Sequence, residues 1–248
     1  MPRSASTFAF QLTLSALDSL KESGIYLNRT TSDLLTSFGI PFQGDGYIHD
    51  TSSLDRAVEL LLSKNIEHLP FAIVLKSHCR CSSRLTELLT QKKVFASAIY
   101  RDPLEIAYSL INICALEKKT SINRFNMYTE ILDTIDGIKD SISSLYSWTQ
   151  TDSVICISFT ELTANSRSYL LALEAQLEHQ LDTEYIASWF EEDISIRVGE
   201  YVNKELVAFL EKPTLASIQQ FNESFNDYYA WINSRVTRLT TLHLDSGS

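Results

Sequence analysis

No stretch of this 248-residue chain approaches the ~20 consecutive apolar residues needed to span a bilayer. Nor does it open on a charged segment followed by an apolar run, the mark of a secretory leader. The first absence argues against an integral membrane protein, and the second points to the cytoplasm. Positive charge is also scarce: 21 Lys and Arg stand against 31 Asp and Glu, a formal net charge of −10. A nucleic acid or an anionic membrane would have to approach against that field, so neither is an expected partner. An acidic exterior fits a small acceptor that is neutral or cationic. The four cysteines, Cys79, Cys81, Cys114 and Cys156, lie in or beside apolar runs without the spacing of a disulfide scaffold, which points to reduced thiols. With no internal repeat and no low-complexity linker, and with 44% hydrophobic and 21% charged residues, the chain reads as one domain over residues 1–248.

What is there alternates between helical and strand patterns, which predicts an α/β fold with a mostly parallel sheet. Phe8 to Leu20 carries Phe10, Leu14, Leu17 and Leu20 at helical spacing and ends on Ser23-Gly24. Ile25 to Leu27 reads as a short strand and Leu54 to Ser63 as a helix. Gly39 to Asp50, with Pro41, Gly44 and Gly46, is the most loop-like stretch and a candidate lid containing Asp45 and His49. Phe71 to Leu75, Val94 to Tyr100 and Val154 to Phe159 have the apolar composition of buried strands. The first two run into Lys76-Ser77-His78 and Arg101-Asp102, as expected where a ligand meets the carboxyl ends of parallel strands. Pro103 suits the first turn of a helix reaching Leu116, and helical patterns dominate from Ser166 onward.

Three elements carry anion chemistry. Pro2-Arg3-Ser4-Ala5-Ser6-Thr7-Phe8 is a hydroxyl-rich turn with one arginine at a helix start, where unpaired backbone N–H groups and the helix dipole favour a phosphate or sulfate. Ser4 or Ser6 would equally serve as a simple N-cap. The second element is Lys76-Ser77-His78, and the third is Arg101 with Ser109 eight residues later.

Together these segments resemble the sulfotransferases that use 3′-phosphoadenosine 5′-phosphosulfate (PAPS). The opening turn is similar to that family's 5′-phosphosulfate loop, Pro-Lys/Arg-Ser-Gly-Thr/Ser-Thr-Trp. Arg101 to Ser109 resembles the 3′-phosphate element, and Lys76-Ser77-His78 resembles the Lys-Thr-His of the small-molecule branch. Ile157-Ser158-Phe159-Thr160-Glu161-Leu162 looks like the strand ending Tyr-Glu-Asp-Leu, and Gly199-Glu200-Tyr201-Val202-Asn203 like the Gly-Asp-Trp-Lys-Asn loop over the nucleotide. The resemblance implies a three-layer, P-loop-like α/β fold with a helix-rich C-terminal half, and no metal. It implies PAPS as donor and 3′-phosphoadenosine 5′-phosphate (PAP) as product, held by Arg3, Ser4, Ala5, Ser6, Thr7, Phe8, Arg101, Ser109, Arg197 and Gly199. His78 would be the general base, Lys76 would polarise the sulfuryl oxygens, and Arg3 would neutralise the leaving phosphate. Bacterial enzymes that tailor natural products, including those that decorate cationic alkaloid toxins, are the relatives it suggests.

The sequence departs from the family pattern at Ala5, which stands for Gly, and at Phe159, which stands for Tyr. Where the family's loop follows a buried parallel strand, only Met1 precedes Pro2. Phe8, in the place of the family's Trp, suits either adenine stacking or the core. His78 with Cys79 and Cys81 leaves a metal site as a further reading, although Cys-x-Cys is not the usual zinc spacing. Trp148, Trp189 and Trp231 read as packing residues. Two alternatives remain: a catalytically inactive, sulfotransferase-like nucleotide-binding protein, and a P-loop nucleotide kinase. The second lacks Gly-x-x-x-x-Gly-Lys-Ser/Thr and a Mg²⁺ carboxylate after the third strand.

Overall fold

The computed structural model describes residues 6–20, 26–27, 35–42, 47–63, 71–120, 128–184, 186 and 213–234. These group into two compact units, one of residues 1–101 with 143–203 and one of 102–142 with 204–248. Pro2 to Ala5, Asp45, Trp189, Arg197 and Gly199 to Asn203 lie outside the described residues.

The first unit begins with helix α1, Ser6–Ser19. Ala9, Leu12, Ala16 and Leu17 recur at helical spacing and are buried. They pack with Ile99, Ile157, Leu162, Tyr169, Leu170 and Leu173 in one apolar cluster. Three parallel strand pairs follow: β1 (Tyr26–Leu27) with β3 (Phe71–Ala72), β2 (Tyr47–Ile48) with β4 (Lys76–Ser77), and β5 (Ala96–Tyr100) with β6 (Val154–Ser158). All are parallel, as the alternation of patterns predicts. Among the described residues they form three separate ladders, because β1 to β4 are only two residues long and each meets a single partner.

Phe71 to Leu75, predicted as one strand, is divided. Its first two residues pair with β1, residues 73–75 are unpaired, and the chain pairs again only at Lys76–Ser77, with a different partner. The predicted loop from Gly39 to Asp50 is corrected in part: residues 40–42 have no regular structure, as read. Tyr47 and Ile48 are strand, and Gly39 closes a helical turn at φ 62°. The Gly39 N–H donates to Thr36 O and the Ile40 N–H to Leu35 O, both at 3.0 Å, while the Leu35 and Ile40 side chains meet in the core. This is a Schellman ending, where the left-handed residue is a glycine because a Cβ would strain it.

Helix α2 (Thr51–Ser63) buries Leu54, Ala57, Val58 and Leu61, and α3 (Ser83–Thr90) buries Leu85, Leu88 and Leu89. With Leu35, Ile40, Ile48 and Cys79 these helices build a second apolar cluster. β6 runs directly into α6 (Phe159–Ala164), whose first turn is capped by Ser158 Oγ accepting from the Glu161 N–H at 3.0 Å. Helix α7 (Ser166–Leu177) sends Tyr169 inward, where its phenol meets Thr13 Oγ1 at 2.7 Å and Ser97 Oγ at 3.1 Å.

In the second unit, helix α4 (Pro103–Thr120) is capped by Asp102, whose Oδ1 accepts from the Leu104 N–H at 2.7 Å. Ile106, Ala107, Leu110, Ile111 and Cys114 form its buried stripe. A 3-10 turn, Ile131–Thr134, leads into α5 (Ile135–Trp148), whose second half belongs to the first unit. Helix α8 (Leu215–Glu223) starts at a Thr214 cap and packs on that turn, as does α4. Phe221, Phe225 and Tyr228 are buried there, the two phenylalanine rings 4.8 Å apart.

Candidate functional site

The β2–β4 ladder is where the sequence's candidate base falls. Register pairs Tyr47 with Lys76 and Ile48 with Ser77. Paired residues share a face and alternate residues switch faces, so fully buried Ile48 anchors the ladder to the core. Tyr47 and Lys76 occupy the other face. One step beyond each pair the same alternation returns His49 and His78 to the Tyr47 side. The rings bear this out: Tyr47 lies edge-on to His49 at 4.2 Å and to His78 at 5.0 Å between centroids. Lys76 Nζ stands 5.8 Å from the centre of the Tyr47 ring. One ladder face thus carries two histidines, a lysine and a tyrosine.

The turn after β4 is pinned by backbone bonds. The Trp148 Nε1–H donates to Cys79 O at 2.8 Å and the Cys81 N–H to Ser147 Oγ at 2.8 Å. Thr51 Oγ1 donates to Arg80 O at 3.3 Å, and the Cys79 N–H donates back to Ser77 Oγ at 2.9 Å. The turn ends at Ser82, whose Oγ donates to Asp55 Oδ1 at 2.7 Å while accepting from the Leu85 N–H at 3.0 Å, tying α3 to α2. Side chains from two helices, α2 and α5, therefore fix the chain on which His78 sits.

Burial moves the titrations at this site. It brings His78 down to about 3, with the charges of Lys76 and His49 acting in the same direction, so the imidazole is neutral at neutral pH. Its Nδ1 is buried and has no hydrogen-bond partner among the described residues. A buried polar atom left in that state costs about 1–3 kcal/mol unless something binds it. Burial, with the nearby Cys79, pushes the Tyr47 phenol up to about 12. Cys79 and Cys81 are both raised by burial and so stay thiols. Cys79 Sγ is turned to Ile48 O at 3.4 Å, and Cys81 Sγ to Thr86 Oγ1 at 3.5 Å. Among the described residues no group of three or more His, Cys, Asp or Glu side chains is placed to hold a metal ion.

Arg101 follows the last residue of β5, and its guanidinium carbon lies 3.8 Å from the centre of the Phe159 ring. The residue standing for the family's tyrosine is thus a cation–π platform for the candidate 3′-phosphate arginine. Ser109 is on α4, in the second unit. Ser6 and Thr7 open α1, and Phe8 packs against the α1 core cluster. Arg3, Ser4, Ala5, Arg197 and Gly199 lie outside the described residues.

The sequence reading did not find Tyr47; it placed His49 in the candidate lid, as a solvated residue or one contacting the acceptor or serving as an alternative base, and Trp148 among the packing residues. The one local signal was the alternation Tyr47-Ile48-His49, polar, apolar, polar, just before the Asp50 cap of α2. Trp231 is a packing residue as read, stacked on Tyr228 at 5.5 Å. Among the described residues no helix is long and apolar enough to cross a membrane. No family model and no curated protein matches this chain.

Proposed function

We propose that this chain is a PAPS-dependent sulfotransferase with the three-layer, P-loop-like fold of that class, moving a sulfuryl group to a hydroxyl or amine of a small neutral or cationic acceptor. The observation that carries the reading is His78: a neutral imidazole with a buried, unpartnered Nδ1 among the described residues, on the same ladder face as Lys76. The ordered motifs at Arg3, Ser6, Thr7, Arg101 and Ser109 support it.

In the proposed reaction the acceptor oxygen or nitrogen attacks sulfur in line. The new bond to sulfur forms as the bond from sulfur to the bridging phosphate oxygen breaks, and PAP leaves with that electron pair. His78 takes the acceptor proton, while Lys76 and Arg3 stabilise charge on the sulfuryl and phosphate oxygens. Arg101, seated on Phe159, would bind the 3′-phosphate, leaving the protein mostly positioning work, as in phosphoryl transfer. A bound anionic donor beside His78 also favours its imidazolium form and so strengthens the base when it is needed.

The test is transfer of labelled sulfate from PAPS to a panel of hydroxyl and amine acceptors, run beside His78→Ala. Loss of about a hundredfold or more in the variant is expected, and undiminished turnover would remove His78 as the base. Thermal stabilisation by PAP without transfer would point to the inactive binding protein. No stabilisation by PAP would overturn both readings.

A further inference from the structure

We infer that Tyr47 is a positioning residue for this transfer, its ring aiming the imidazole of His78; the inference rests on the sulfotransferase reading above. A histidine base is ordinarily oriented by a hydrogen bond from its second ring nitrogen to a carboxylate or carbonyl. Nδ1 of His78 makes no such bond among the described residues. Its ring instead meets Tyr47 at 5.0 Å and an interplanar angle of 66°, an edge contact of the kind aromatic pairs prefer.

Tyr47 is itself held from several sides. Its backbone pairs in register with Lys76, and its neighbour Ile48 is locked into the core. His49 packs on its ring at 4.2 Å and 83°, and Lys76 Nζ lies 5.8 Å from the ring centre. A ring so constrained can set the angle of the one beside it. Among the described residues, the titratable and charged groups around the pair are Lys76, His49 and Cys79, with Asp50 following His49 and already bound to Ser52 and Ser53.

The test compares Y47F and Y47L in the full chain, by steady-state kinetics and by the NMR resonance of the His78 ring C–H. In Y47F the ring remains, so kcat stays within about twofold of the parent and the resonance keeps its ring-current shift. In Y47L kcat falls about ten- to a hundredfold while KM for PAPS changes by less than about twofold, and the His78 resonance moves and broadens. Equal losses in the two variants would overturn the inference, because the hydroxyl would then be responsible. So would parent-like kcat, or an unmoved resonance, in Y47L. Should Y47L not fold, Y47M keeps the bulk without the ring and answers to the same outcomes. A parent chain inert with PAPS whose His78 resonance still responds to Y47L would overturn the sulfotransferase reading while upholding the coupling of the two rings.

Discussion

His78 without donor is a neutral but weak base, since burial holds it at about 3. The consequence is a particular pair of pH profiles. For kcat/KM toward PAPS, which reports the free protein, activity should stay level as pH falls from 8 through the ordinary histidine range of ~6.5, with its acid limb well below. For kcat the bound anionic donor raises the limb, so the two profiles should separate, with kcat failing at the higher pH. A shared limb near ~6.5 would show that the proton is taken by an unburied histidine. At Phe159 the expectation concerns binding. Replacement by leucine removes the platform under Arg101 and should weaken PAP about two- to fivefold, the equivalent of ~0.5–1 kcal/mol, on titration calorimetry. Melting should shift little.

Between elements, one turn and two helix ends carry the consequences. Trp148 reaches from the end of α5 to the Cys79 carbonyl. Trp148→Phe should cost ~1–2 kcal/mol in urea unfolding, from the lost bond and the carbonyl left without its donor. It should also lower kcat, because the same turn carries His78. At the end of α3 the N–H groups of Lys92 and Lys93 donate to Leu89 and Leu88, each at 3.0 Å. This repeats the Gly39 arrangement, but with a lysine at φ 55°. The Lys92 contact with Glu178 Oε1 at 3.0 Å is between exposed groups, and such pairs contribute little. Lys92→Gly should therefore stabilise the protein by ~0.5–1 kcal/mol on thermal or urea unfolding, by relieving a left-handed residue that carries a Cβ. A lower melting point would show that the ion pair outweighs the strain.

For the whole molecule, stability should fall toward acid. His78 is depressed in the folded state, so at pH below ~6.5 the unfolded chain binds a proton that the folded one refuses. Stability present above that pH is lost progressively down to about 3, where the folded His78 also protonates. The difference is on the order of a few kcal/mol. Asp50, brought down to about 2 by hydrogen bonds from Ser52 and Ser53, has the same sign, its share being lost between its ordinary carboxylate range and about 2. Urea unfolding at pH 7, 5.5 and 4.5 should give falling midpoints, and His78→Phe should flatten the upper part of that slope.

Read from its residues alone, the chain determined those features whose signal is local. Leu54, Ala57, Val58 and Leu61 mark α2 by their spacing, Pro103 marks the start of α4, and the apolar runs Val94 to Tyr100 and Val154 to Phe159 mark β5 and β6, which pair in parallel, although Phe159 itself opens α6. Lys76, His78 and Arg101 were legible as candidate site residues because each follows such a run. The ladder between Tyr47–Ile48 and Lys76–Ser77 was not legible. Two-residue strands leave almost no periodicity, and Pro41, Gly44 and Gly46 gave the neighbouring segment the look of a loop. Only the tertiary structure decided that Tyr47 and His49 face His78, that Trp148 holds its turn, and that Phe159 carries Arg101. Each of those contacts joins residues distant along the chain, and their strength depends on burial and ring geometry, which exist only once the chain has folded.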